Sequence, residues 1–234
     1  MRYVITDNRI DKKCENALKN KGFELIKMPL FDALQEPVSA HPDMLLFLGK
    51  GVLVCHKDYF GIAEKQIKKI ADISGSKIVL SEENIDRNYP GDVLFNAAPT
   101  GDMLICKRDA ISEKIPLLYG DENIINVKQG YAKCSVCVVS DNAIITADRA
   151  IARETEKNGI DTLLVSPNGV RLDGYDCGFI GGASGADGEN VYFCGNTALH
   201  SDGDKIKEFC KKHGKTAVSL SDDPLYDYGT LMFI

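Results

Sequence analysis

No stretch of this chain stays apolar for the ~18 residues that a membrane-spanning helix requires. The opening MRYVITDN lacks a basic segment leading into an apolar one, so no signal peptide is expected. A basic excess is missing too: 28 Lys and Arg stand against 34 Asp and Glu, a net charge of −6. That argues against nucleic acid, which draws a basic stripe, and against anionic membrane surfaces. No polar tail follows the last residues, TLMFI, although chain ends usually fray.

What is present is ordinary for a globular chain: 234 residues, 44% hydrophobic and 26% charged, enough to pack around a real core. The eight cysteines are Cys14, Cys55, Cys106, Cys134, Cys137, Cys177, Cys194 and Cys210. With no export signal, they are expected to be reduced thiols of a cytoplasmic protein.

The chain repeats itself. Apolar segments begin at Met44 (MLLFLG), Val93 (VLFNAA), Val136 (VCVVSD), Phe179 (FIGGAS) and Thr230 (TLMFI). Each reads as a first strand. Second strands follow (VLVCHKD, MLICKRD, AIITADR, VYFCGN), then helical patterns, then third strands (SKIVLS, NIINVK, DTLLVS, TAVSLS). In DKIKEFCKKHG, Ile206, Phe209 and Cys210 share one helical face and Gly214 supplies the C-cap. The fifth unit stops after its first strand, and the missing parts stand at the other end: YVITD, RIDKKCENALKNKG and FELIKMP. The terminal strand is therefore expected to pair with the N-terminal one, which removes a free sheet edge. The expected units are 44–92, 93–135, 136–178, 179–229, and 230–234 joined to 1–43, together one domain over 1–234. In this register one slot of the second strand holds Cys55, Cys106, Thr146, Cys194 and Thr6, as compact packing residues do.

Five strand–strand–helix–strand units in a ring resemble the pentein fold, the five-fold pseudosymmetric α/β propeller of guanidino-modifying enzymes. HPDMLLF is similar to the Leu-Pro-Asp strand of dimethylarginine dimethylaminohydrolases. GDVLFNAAPTGDMLICKRD and TAVSLSDDPLYDYGTLMFI resemble their central and C-terminal segments. QGYAKCSVCVVSDNAIITAD and GYDCGFIGGASG are similar to an uncharacterised bacterial family assigned to this fold, a likeness that implies no established activity.

The resemblance places the residues leading into each first strand around a central channel: His41-Pro42-Asp43, Pro90-Gly91-Asp92, Lys133-Cys134-Ser135, Asp176-Cys177-Gly178 and Asp227-Tyr228-Gly229. Carboxylates suit a guanidinium, whose planar fork of donors matches two oxygens. Asp43 and Asp92 fall on acidic positions of the enzymes, and Arg108 falls on an arginine that binds a substrate carboxylate. The catalytic histidine is missing: Tyr131 or Ala132 stands there. The Glu-Asp pair is replaced by Leu48-Gly49, and the nucleophilic cysteine by Leu231 or Met232. The resemblance thus implies a small guanidino or amino-acid-like ligand, held by Asp43, Asp92, Arg108, Asp176, Asp227 and Tyr131 without the usual thiol chemistry. One alternative is a relocated thiol enzyme using Cys134 or Cys177 with His41. Another is a protein-interaction module, as in a ribosome anti-association factor of the same fold.

Three weaker signals point elsewhere. CSVC matches a C-x-x-C pair, but residues three apart in a strand face opposite ways, so no metal or redox role is expected. Gly181 and Gly182 lie in a hairpin and not at a helix start, which suits a close backbone approach better than a phosphate loop. His56 and His213 read as solvated turn or helix-end residues, and His200 as a capping or surface residue. No cofactor is expected, and the oligomeric state is left open.

Overall fold

The computed structural model describes residues 1–234. Its mixed α/β chain forms five three-stranded sheets and one two-stranded sheet, none closed on itself. All three-stranded sheets share one plan, in which the central strand pairs antiparallel with the first strand and parallel with the third. Leu46–Gly49, Val52–His56 and Lys77–Ser81 form one sheet. Ala98–Thr100, Met103–Cys106 and Ile124–Asn126 form the next. Val136–Ser140, Ala143–Thr146 and Asp161–Leu164 follow. Ser184–Ala186, Asn190–Phe193 and Thr216–Ser219 come fourth.

The fifth sheet joins the chain ends. Arg2–Asp7 lies between Phe23–Met28 and the terminal Met232–Phe233, with Val4 opposite Phe233. Tyr3 N donates to Ile234 O at 3.0 Å, and the return bond is also 3.0 Å. Phe233 packs edge-on against Phe23, with ring centroids 4.9 Å apart. The apolar last residues are thus a paired strand.

Helices join the second and third strands of four units: Lys12–Asn20, Lys57–Ser74, Arg149–Lys157 and Gly203–Lys212. In the last, Ile206, Phe209 and Cys210 are buried, and Gly214 follows at φ +70°. The unit around Met103–Cys106 departs from the expected pattern. Its connection holds only short 3₁₀ turns, Pro116–Leu118 and Asp121–Asn123. Pro116 removes a backbone donor and Gly120, at φ +77°, reverses the chain between the two turns.

In four units the first strand begins later than the apolar pattern suggests, whereas the strand expected from Val136 begins there. Pro42–Leu45 and Ala132–Ser135 are single helical turns, with Pro42 set at a helix start where its missing donor is harmless. The strands expected from Val93, Phe179 and Thr230 begin at Ala98, Ser184 and Met232. Cys134 consequently sits in a turn and only Cys137 in a strand, so CSVC is not one strand segment. The slot of compact residues is fully buried in all five units: Cys55, Cys106, Thr146, Cys194 and Thr6. All eight cysteines are free thiols. No helix is long and apolar enough to cross a membrane.

Two histidines are corrected by their surroundings. His56 is buried, accepts the Asp58 N–H at the start of its helix and bonds Glu83 O at 3.1 Å. His200 is buried as well, its Nδ1 accepting from Asp202 N at 3.0 Å.

Candidate functional site

The segments before the first strands converge on a buried polar cluster. Gly181 and Gly182 form its floor because nothing larger fits. A Cβ on Gly181 would lie 2.5 Å from the carbonyl oxygens of Lys133, Cys134 and Val136. Gly229, at φ +71°, passes so close to His41 that a Cβ would meet the His41 Cβ at 2.1 Å. Thr230 follows at φ +69°, a strained backbone for a β-branched residue. Its hydroxyl donates to Asp43 Oδ2 at 2.7 Å, with Gly181 O a second acceptor at 3.1 Å.

Asp227 is anchored by two backbone donors, Gly229 N at 2.9 Å and Phe179 N at 2.8 Å. Burial nevertheless pushes its carboxyl up to about 6; His41 and the two donors oppose that shift, and Asp43 adds to it. Below the ordinary carboxylate range the proton is bound in both folded and unfolded chains, and stability is lost as pH rises from there through about 6.

His41 sits between two carboxylates, with Nε2 3.9 Å from Asp7 and Nδ1 3.7 Å from Asp227. Its Nδ1 has no hydrogen-bond partner. Asp7 in turn holds Arg9 through two parallel bonds of 3.0 and 2.7 Å. Arg9 also donates to Glu36 O and Oε1, at 2.7 and 3.1 Å. Asp7, Arg9, Glu36, His41, Asp173 and Asp227 line a cavity of about 350 Å³ that is walled further by Tyr226 and Tyr228. Four carboxylates and one guanidinium thus line it, and Asp173 also pairs with Arg171 at 3.5 Å.

Asp43 and Asp92 lie deeper. Each is buried, and each keeps one oxygen, Oδ1, without a donor. Tyr131 donates to Asp92 Oδ2 at 2.6 Å. Its ring stacks on Phe179 and touches Tyr89. Burial raises the Asp92 carboxyl, and the Tyr131 bond opposes that.

Cys134 is buried with its sulfur 3.0 Å from Asn96 Nδ2. Burial and the negative charges of Asp43 and Asp227 push this thiol well above its ordinary value. No hydrogen bond joins it to His41, whose neighbours are Asp7 and Asp227. The remaining candidates stand apart. Cys177 is half-buried in a separate cavity with Asp148 and His200, of about 140 Å³. Asp176 is exposed, because the turn carrying it bends out before Gly178. Arg108 is exposed and paired with Asp121 at 2.6 Å, so its charge is already met on the surface.

Some members of the cluster escaped the sequence. Asn96 accepts from Lys133 N and Cys134 N and donates to Asp43 O, tying three segments together. It is the one polar side chain in VLFNAA. Asp7 directly follows the slot of compact residues. Reading one residue further gives His56, Lys107, Ala147, Gly195 and Asp7, a position that is polar in three units.

A family model described as a family of unknown function (DUF6873) matches residues 5–232. No curated protein matches the chain. Among solved structures it is similar to the agmatine deiminase of C. jejuni, with TM-score 0.56 and 9% identity over 94% of this chain and 87% of that one. It is also similar to DDAH from Pseudomonas aeruginosa complexed with citrulline, with TM-score 0.59 and 7% identity over 94% and 91% of the chains. A third similar structure is SxtG, an amidinotransferase from Microseira wollei, with TM-score 0.56, 11% identity and 94% and 88% coverage. The chain therefore belongs to the family of unknown function DUF6873, and its mixed α/β fold is similar to the folds of these three enzymes.

Proposed function

We propose that this protein binds a small cationic ligand, guanidino or amino-acid-like, in the acidic cavity beside His41, without the thiol–imidazole chemistry of its structural relatives. The observation that carries this reading is the charge balance of that cavity: Asp7, Glu36, Asp173 and Asp227 against Arg9. Asp43, whose charge acts on Asp227, and Asp92 are further buried carboxylates, each with an oxygen lacking a donor. A guanidinium fits paired carboxylate oxygens in its own plane. Against thiol catalysis stand Tyr131 or Ala132 in place of a histidine, Leu231 or Met232 in place of a cysteine, and a Cys134 thiol that burial and nearby carboxylates push well above its ordinary value. The propeller arrangement belongs to the same proposal. Five sheets of one plan and the pairing of Val4 with Phe233 support a ring of five units around a channel. Eight free thiols suit a cytoplasmic setting.

Isothermal titration with agmatine, arginine and dimethylarginine tests the ligand. At least one binds, and Asp7→Asn weakens it by roughly tenfold or more, the scale of a lost hydrogen bond to a charged group. That substitution removes a carboxylate and also leaves the Arg9 charge less compensated, and both effects disfavour a cation. Heat signals absent for all three compounds, or equal affinity in Asp7→Asn, would overturn the reading.

A further inference from the structure

A second cavity, of about 200 Å³, lies among the first strands and is independent of the acidic one. Every one of the five three-stranded sheets contributes to it: Leu46 to Leu48, Pro99, Val138, Ser184 to Ala186, and Met232 with Phe233. Ten of its fifteen lining residues are hydrophobic, and Lys133 is the single charged one. The Lys133 backbone is fixed, its N–H donating to Asn96 Oδ1 at 2.7 Å within the turn Ala132–Ser135. Its ammonium has no such anchor. The charge of Asp43 acts on it, but it forms no ion pair or side-chain hydrogen bond within the protein. Burial accordingly lowers the Lys133 amine below its ordinary range. Leu48, Pro99, Val138, Ala186, Met232 and Phe233 are only half-buried, so their outer faces leave a mouth to this cavity.

A cavity lined mostly by hydrophobic residues and holding one cation has a definite complement. We propose that this cavity binds a short aliphatic carboxylate, its hydrocarbon chain between the first strands and its carboxylate on Lys133. The ten hydrophobic side chains favour a hydrocarbon chain over a sugar, whose many hydroxyls would outnumber the polar groups that Ser184, Thr230 and the backbone supply. The cation selects an acid over an amine or a neutral analogue of equal shape. A direct partner also compensates Lys133 in the low-dielectric cavity, where a paired charge is stabilised more than in water.

The test is titration of the full chain with hexanoate, hexanamide and hexylamine, followed by ligand-observed NMR. Hexanoate binds, hexylamine does not, and hexanamide binds at least tenfold more weakly than hexanoate. Lys133→Met, which keeps the stem apolar, loses hexanoate binding by tenfold or more while its melting temperature stays near that of the parent. The comparison of three ligands on the unaltered protein stands even if this variant folds poorly. Equal binding of hexanoate and hexanamide, or no hexanoate binding, would overturn the assignment. Agmatine binding at the acidic cavity is unaffected by either result.

Discussion

Gly182→Ala is expected to unfold the protein or to cost at least about 4 kcal/mol, at the severe end for a single substitution. The added Cβ would stand 1.9 Å from Asp227 Oδ1 and 2.3 Å from Asp227 Cγ. Neither side can retreat. Asp227 is buried, with its two oxygens held by Gly229 N and Phe179 N. Gly182 donates from its own N to Cys134 O at 2.9 Å and accepts from Tyr228 N and Thr230 N, at 3.1 and 2.9 Å. Moving it would break bonds to two segments of the cluster at once. Gly188, six positions along the same glycine-rich run, has nothing within 4 Å of its hypothetical Cβ. Gly188→Ala is expected to stay within about 0.5 kcal/mol of the parent, as surface changes do. Urea denaturation of the pair reads the difference. Similar midpoints would mean that the crossing of Gly182 over Asp227 is wrong.

Asn96→Ala carries the second large effect, a loss of about 3–5 kcal/mol built from several buried groups left without partners. Asn96 Oδ1 accepts from Lys133 N at 2.7 Å and Cys134 N at 3.2 Å. Its Nδ2 donates to Asp43 O at 3.1 Å and to Cys134 Sγ at 3.0 Å. Alanine strips all of these, and a backbone group unmatched in the interior costs more than the matched bond contributes. Leu94, in the same stretch but mainly packing, is the useful contrast. Leu94→Ala removes apolar volume without orphaning a polar group, at about 2–4 kcal/mol. The two variants separate by hydrogen exchange. Asn96→Ala exposes the amides of Lys133 and Cys134 specifically, whereas Leu94→Ala raises exchange through global unfolding alone. Unchanged protection at those two amides in Asn96→Ala would contradict the bridging role.

The strand plan was legible in the sequence because it rests on period and spacing. Apolar segments recurred at similar intervals, and the fifth unit was incomplete at one end and completed at the other. The Val4–Phe233 pairing follows from that arithmetic. Local chemistry hid the rest. The helical turns Pro42–Leu45 and Ala132–Ser135 have apolar residues like the strands they precede, so hydrophobicity alone could not tell them apart. The missing helix after Cys106 was masked by a charged, helix-like stretch that Pro116 and Gly120 interrupt.

Of the carboxylates that line the acidic cavity only Asp227 was legible in the sequence, and Asp7, Glu36 and Asp173 were not. His41, Asp43, Cys134 and Asp227 come together because each directly precedes or follows a backbone crossing at a glycine or at Thr230. Arg108 matched its resembling position by sequence, yet Asp121 on the following turn draws its guanidinium outward. That ion pair depends on a loop without a helix, which no local pattern announced. Lys133 read as a residue beside a cysteine; its place in an apolar cavity depends on four other sheets.

The most direct test of the acidic site is a crystal structure of the protein grown with saturating agmatine. A ligand nitrogen is expected within about 3.2 Å of a carboxylate oxygen of Asp7, Asp173 or Asp227, the distance of a charge-assisted hydrogen bond. A cavity beside His41 that contains only solvent under those conditions would contradict that expectation.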